Sequence, residues 1–168
     1  MAEDLPLLND RARLIWARTH LYLWPDHYLL VSLQPDMLAE AAALAGSASA
    51  TFVALVMERN EVSLTVKEQL WLASPLRPKA RAESGPYRVI TLDVNADLEV
   101  VGYLAPAALA LAEAGISVIP QCAYLKDHLL VYGTSLERTI RTLNELIQTC
   151  RNHTGRHQQT PSEHNGVA

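Results

Sequence analysis

Tyr87-Arg88-Val89-Ile90-Thr91-Leu92-Asp93-Val94 is the stretch on which the reading of the fold turns. Its β-branched residues, Val89, Ile90, Thr91 and Val94, predict a strand. An ordered series follows it. Residues 98–114 read as mostly helical and stop at Gly115, and residues 116–123 and 128–132 read as strands. Thr134-Ser135-Leu136-Glu137 has the pattern of a capping box that opens a helix. The apolar face of that helix is Leu136, Ile140, Leu143, Leu146 and Ile147, with Glu137 and Arg141 spaced i,i+4 on its wet side.

The same order appears N-terminal to this stretch. Residues 28–33 predict a strand, and residues 35–45 a helix with Pro35 at its first position and Gly46 at its left-handed cap. Residues 51–58 and 61–66 predict a hairpin around Arg59-Asn60, and residues 67–73 a short helix. A β-α-β-β-α order thus occurs twice, which is the ferredoxin-like βαββαβ plan without its last strand in either copy. Pro25-Asp26 suits a tight turn, predicting a hairpin of residues 19–24 with 27–33, and 19–24 is available to supply one missing strand. Residues 74–86 carry three prolines, a glycine, Arg77, Lys79 and Arg81, and read as a solvated linker rather than a basic docking patch. After Arg151 the chain turns polar, predicting a disordered tail. The fold class is α+β, divided into an N-terminal segment (1–18), a first unit (19–73), a linker (74–86), a second unit (87–151) and a tail (152–168).

Composition narrows the function classes. Hydrophobic residues make up 49% and charged residues 19% of the 168, a globular composition. A chain of this length buries roughly 70% of its unfolded surface, so it needs no disulfide or metal staple. Fourteen Lys and Arg against 18 Asp and Glu give a charge of −4, which argues against a nucleic-acid partner. Two cysteines in no repeated spacing fit a reducing compartment. Met1-Ala2-Glu3-Asp4 is acidic where a signal peptide is basic. Residues 100–119 are apolar but contain Glu113, Pro106 and two glycines, and read as a helix entering a buried strand, not a membrane span. A soluble cytoplasmic protein is expected.

Chemistry-bearing motifs are sparse. The chain has no phosphate-cradling glycine loop, GxSxG, HExxH or paired CxxC. Cys122, inside a predicted strand, reads as a buried small hydrophobe. Cys150 ends a predicted helix, where the dipole disfavours a thiolate. Asp127 and His128 are strand neighbours and point to opposite faces, so they read as a turn aspartate and a strand-entry histidine. His153, His157 and His164 lie in the expected tail. No catalytic residue, metal site or cofactor is expected. Asn95-Ala96-Asp97-Leu98-Glu99-Val100-Val101-Gly102 is more informative, because it leaves a strand and enters a predicted helix. Backbone amides at a helix N-terminus accept a carboxylate, while Asp97 and Glu99 offer acids to an ammonium group. That pairing suits a free amino acid. In the competing reading Asp97 caps the helix and Glu99 favours its dipole, together worth about 1 kcal/mol.

Ile90-Thr91-Leu92, the run Asp97-Leu98-Glu99-Val100-Val101-Gly102-Tyr103-Leu104-Ala105, Leu111-Ala112-Glu113-Ala114-Gly115-Ile116-Ser117 and Asp127-His128-Leu129-Leu130-Val131 together resemble an ACT domain. More narrowly, they resemble the small tandem-ACT proteins related to aspartate kinase regulatory domains and cytosolic arginine sensors. The likeness covers about residues 87–147, and the first half joins it by topology and by residues 51–58 and 61–66. The resemblance implies two ferredoxin-like ACT domains packed side by side, with antiparallel sheets carrying helices on one face. It implies a small-molecule ligand, an amino acid, bound at a paired interface by Asp97, Leu98, Glu99, Val100, Val101 and Gly102 and by Ile116, Ser117 and Val118. A homodimer and a regulated protein partner are also implied. Gly102 then leaves room for the ligand or a partner strand, or serves close helix–sheet packing. Pro106 departs from the pattern: inside the predicted helix it removes a hydrogen bond to Gly102, so the helix must kink or start late and reshape the ligand turn. The expected function is a small-molecule sensor without chemistry of its own. The alternative is a ligand-free ACT-like assembly or interaction module; an enzyme would need Cys122, Asp127 or His128 to be accessible.

Overall fold

Nine residues before the first strand form a helix that the sequence reading did not anticipate. In the computed structural model, which describes residues 9–47, 51–95 and 97–157, helix α1 spans Asp10–Arg18. The Asn9 side chain caps it by accepting the Ala12 N–H at 2.8 Å, and Ala12 and Trp16 on one face are fully buried. Strands β1 (His20–Leu23) and β2 (Tyr28–Leu33) follow, then α2 (Leu38–Ser47), β3 (Ala54–Met57), β4 (Val62–Lys67) and α3 (Glu68–Leu72). The second half is β5 (Ala82–Asp93), α4 (Ala105–Glu113), β6 (Ile119–Cys122), β7 (Asp127–Tyr132) and α5 (Leu136–His157). The doubled β-α-β-β-α order is therefore present as β2 to α3 and β5 to α5.

The hairpin expected between residues 19–24 and 27–33 does not form. β1 and β2 lie end to end along one edge of β5, both antiparallel to it. His20 stands opposite Asp93 and Leu23 opposite Ile90, then Tyr28 opposite Tyr87 and Ser32 opposite Ala82. Pro25 breaks the ladder between them because it has no N–H to donate. The gap is filled by Arg88, whose guanidinium donates to the carbonyls of Trp24 (3.0 Å) and Pro25 (3.4 Å). Asp26 is drawn to Lys67 at 2.7 Å and does not turn the chain back.

β5 is twelve residues long, so residues 82–86 of the expected linker are strand. Two of the three cations of the preceding connection are engaged: Arg77 pairs with Glu83 at 3.2 Å, and Arg81 donates to the Asn60 carbonyl at 2.7 Å. One half of the sheet has the order β5-β2-β4-β3 and the other β1-β5-β7-β6. The fourth strand missing from each repeat is thus supplied by the start of β5 in the first half and by β1 in the second. Gly85 sits where β5 passes from one half to the other, with φ +137° and beside a register shift between Tyr28 and Leu30. A Cβ there would lie 2.9 Å from the Tyr28 carbonyl oxygen and 2.9 Å from Leu29 Cδ2.

Strand alternation sorts side chains onto two faces. Ile90, Leu92, Leu129 and Val131 face α1, α4 and α5, where Trp16, Leu111, Leu143 and Ile147 complete one core. Leu29, Val31, Leu33, Val62, Leu64 and Val66 face α2 and α3, with Trp71 fully buried among them. The other face holds Tyr28, Phe52, Tyr87, Val89 and Leu130. Across it Gln121 of β6 donates to Thr65 Oγ1 of β4 at 2.6 Å, although β2, β5 and β7 lie between those strands in the sheet. The sheet is therefore curled so that this face closes on itself, with helices outside.

The C-terminal boundary also differs from expectation. α5 continues through His157, so residues 152–157 are helix, and Arg151 Nε ties the segment to the Ala17 carbonyl at 2.8 Å. Residues 1–8 and 158–168 of the expected N-terminal segment and tail lie outside the described residues. No described helix is long and apolar enough to cross a membrane.

Gly85→Ala is expected to destabilise the fold by about 1–3 kcal/mol through strain at this positive φ, lowering the thermal midpoint by about 2–4 °C per kcal/mol. His128 supplies a pH test. It is nine-tenths buried, within 2.8 Å of Thr91 Oγ1 and against the Phe52 ring. Burial holds its pKa below the ordinary 6.5, against the opposing charge of Asp127. The unfolded chain then takes up a proton that the folded chain refuses, so this contribution is complete above about pH 6.5 and is lost as pH falls through the folded value. Thermal melts between pH 8 and 5 should show a smaller acid loss in His128→Gln than in the wild type.

Candidate functional site

Helix α4 begins at Ala105, seven residues later than the predicted helix start at Leu98. Pro106 is the cause: without an N–H and with fixed φ it fits the first turn and not the interior. The peptide amides of Asp97 to Gly102 are therefore not a helix N-terminus. They belong to an irregular loop that opens with a turn, Val100 N–H donating to the Asp97 carbonyl at 3.1 Å. Gly102 takes φ +78° within it, a conformation that accounts for glycine at this position. Asp97 does not cap α4; its carboxylate pairs with Arg11 of α1.

α1 holds the loop in place. Trp16 Nε1 donates to the Tyr103 carbonyl at 2.7 Å, and its ring stacks on Tyr103 with centroids 5.1 Å apart. Thr19 Oγ1 lies 3.2 Å from the Tyr103 hydroxyl. Burial, with a contribution from the charge of Asp127, pushes that hydroxyl up to about 12, against the hydrogen bond from Thr19. Asn9 Nδ2 adds a bond to the Val101 carbonyl at 3.2 Å.

Between this loop and the β6–β7 hairpin lies a cavity of about 430 Å³, within the roughly 300–1,000 Å³ of small-molecule sites. Asp97, Leu98, Val100, Gly102, Tyr103 and Leu104 line one side, and Cys122, Ala123, Tyr124, Leu125, Lys126 and Asp127 the other. A neighbouring hollow of about 580 Å³ is bordered by Asn95, Asp97, Leu98, Glu99, Tyr124 and Leu125. Of the nine residues singled out in the sequence, Asp97, Leu98, Glu99, Val100 and Gly102 are thus brought together here. Val101 is 77% exposed and lines neither space. Ile116 is buried in the core, Val118 packs against it and Ser117 is exposed before β6; none of the three borders the cavity.

The hairpin wall was missed. Its signal was Tyr124-Leu125, two large apolar residues in a turn, where polar residues are usual; they are 77% and 65% exposed. Lys126 Nζ bonds Asp93 at 2.6 Å and Asn95 at 3.1 Å, fixing the hairpin to the end of β5. Cys122, expected to be buried, is exposed on edge strand β6. The Asp127 carboxylate accepts its thiol hydrogen and, with partial burial, pushes the thiol up to about 11. Cys150 is buried, and burial raises its thiol as well. Asp127 and His128 do point to opposite faces, one into the cavity wall and the other into the closed face of the sheet. Among the described residues, no three His, Cys, Asp or Glu side chains gather as a metal site.

No family model matches the chain, and no curated protein matches it in sequence. Solved structures do match in shape. A Vibrio cholerae protein of unknown function, described as a possible transport protein, aligns at a TM-score of 0.66 with 23% identity over 82% of this chain and 97% of that one. An Agrobacterium tumefaciens protein aligns at 0.61 with 19% identity over 77% and 89%. The regulatory subunit of aspartate kinase from Thermus flavus aligns at 0.55 with 13% identity over 76% and 95%. The fold is ACT-like. Three chains described as regulatory subunits or a putative regulatory domain of aspartate kinase are matched over 95–97% of their own length.

Exposure and pKa oppose each other at Cys122. At pH 8 its alkylation by iodoacetamide should be slow despite access, and Asp127→Asn should speed it at least tenfold by letting the thiol pKa fall toward 9. Mass spectrometry of the two cysteines, with buried Cys150 as internal reference, checks this.

Proposed function

We propose that this chain is a regulatory module that binds a small molecule, an amino acid, without catalytic activity of its own. In this reading two ACT-like units share β5, and the ligand occupies the cavity between the 97–105 loop and the β6–β7 hairpin. The observation that carries it is the cavity itself, walled by Asp97, Leu98, Val100 and Gly102 of the segment whose sequence suits an amino acid. The regulatory subunits of aspartate kinase with the same fold support the regulatory role. A ligand joining the loop to the hairpin favours one packing of the two walls, and a second copy of the chain or a partner protein reads that packing. The setting is cytoplasmic, with neither nucleic acid nor membrane as partner.

A second reading is favoured by one observation. Leu98, Tyr124 and Leu125, which line the cavity, are 65–77% exposed, as is Val101 on the same loop at 77%, and clustered exposed apolar side chains mark interaction surfaces. A ligand-free assembly or interaction module would use them to pair copies or partners.

The thermal midpoint of the purified chain, measured with each of the twenty amino acids in turn, separates the two. A ligand at 100 times its Kd stabilises by about 2.7 kcal/mol, which moves a chain of this size by roughly 5–10 °C. The sensor reading expects such a rise with at least one amino acid. A flat panel, with an oligomer mass in light scattering that no amino acid alters, leaves the assembly reading.

A further inference from the structure

We propose that the cavity selects an α-amino acid with a large apolar side chain, its ammonium group held by Asp127 and its carboxylate by Lys126; the inference rests on the cavity being the ligand site. The charged residues of the lining are Asp97, Lys126 and Asp127, and they are not equivalent. Asp97 is already paired with Arg11. Lys126 spends two of its three donors on Asp93 and Asn95 and keeps one. Asp127 enters no ion pair among the described residues, and its partner is the neutral thiol of Cys122. A zwitterion therefore meets one carboxylate without a cation and one ammonium with a donor to spare.

Apart from Tyr103, Tyr124 and the Cys122 thiol, the rest of the wall is hydrocarbon. Leu92, Val94, Val100 and Leu104 stand on one side and Ala123 and Leu125 on the other. Leu92 is fully buried, and Val94, Val100 and Leu104 pack against the same core, so this side is fixed before any ligand arrives. An apolar side chain gains by leaving water here. A charged or amide side chain would lose water and find few partners there, which weakens binding roughly 10- to 100-fold.

Calorimetric titration of the full chain tests this with L-leucine, L-methionine and L-phenylalanine against L-aspartate, L-lysine and L-glutamine. N-acetyl-L-leucine, which lacks the ammonium, and L-leucinamide, which lacks the carboxylate, complete the set. At least one apolar amino acid should bind tenfold or more tightly than any polar one, and each derivative tenfold or more weakly than leucine. Asp127→Asn should weaken leucine about tenfold yet leave N-acetyl-L-leucine unchanged, and Lys126→Met should do the same for leucine and leucinamide. Ligand-free midpoints of both variants within about 2 °C of the wild type show that they fold; if they do not, the derivatives on the wild-type chain decide. Tighter binding of a polar amino acid, or derivatives that bind as well as leucine, overturns this assignment and leaves the small-molecule reading intact. Binding by no amino acid overturns both.

Discussion

Strand β5 is the constraint on which the rest of the structure depends. Its first residues complete the sheet of one half, its last residues form the central strand of the other, and β1 and β2 share a single edge of it. Neither half is closed without it. Continuity through Gly85, where a side chain would strike the Tyr28 carbonyl, permits one strand to serve both sheets. The curl that follows brings β4 and β6 within hydrogen-bonding distance. That closed face buries Tyr28, Tyr87 and Leu130, which on an open antiparallel sheet would face water.

Most elements were legible because their signals are local. The alternation in Tyr28–Leu33, the Arg59-Asn60 turn between β3 and β4, and the 3.6-residue face of α5 each depend on neighbours a few positions away. Pairing was not legible in the same way. Pro25-Asp26 reads as a reversal, yet the chain runs straight on because the edge of β5 offers β1 a better partner than β2 does, and β5 is remote in sequence. α1 was missed for a related reason. Its residues mix Arg and Asp with Leu, Ile and Trp, and the face bearing Trp16 becomes apolar surface only once Tyr103 and α5 are there to cover it.

The candidate site divides along the same line. Asp97 to Gly102 stood out because acids and a glycine followed directly on a strand, and of the kink or late start that Pro106 required, α4 has the late start. What the local pattern assigned to a helix N-terminus is a loop held by α1 through Trp16 and Asn9. The opposite wall lies on the turn between β6 and β7, and nothing in residues 122–127 taken alone says which loop they will face. Residues 116–118 were expected there, but they precede β6 at its other end, where Ile116 is consumed by the core.

The dependence of the second half on the chain's first residues also sets an order of events during synthesis. Trp16 is 87 residues from Tyr103, and Arg151 is 134 residues from Ala17. At about 5–20 residues per second, the end of α1 is made roughly 7–27 s before the end of α5 that covers it. β2, β3 and β4 can pair as soon as they emerge, since their contacts are close in sequence. The Trp16 face of α1 has no such neighbour, so for most of translation it is the nascent chain's exposed greasy surface.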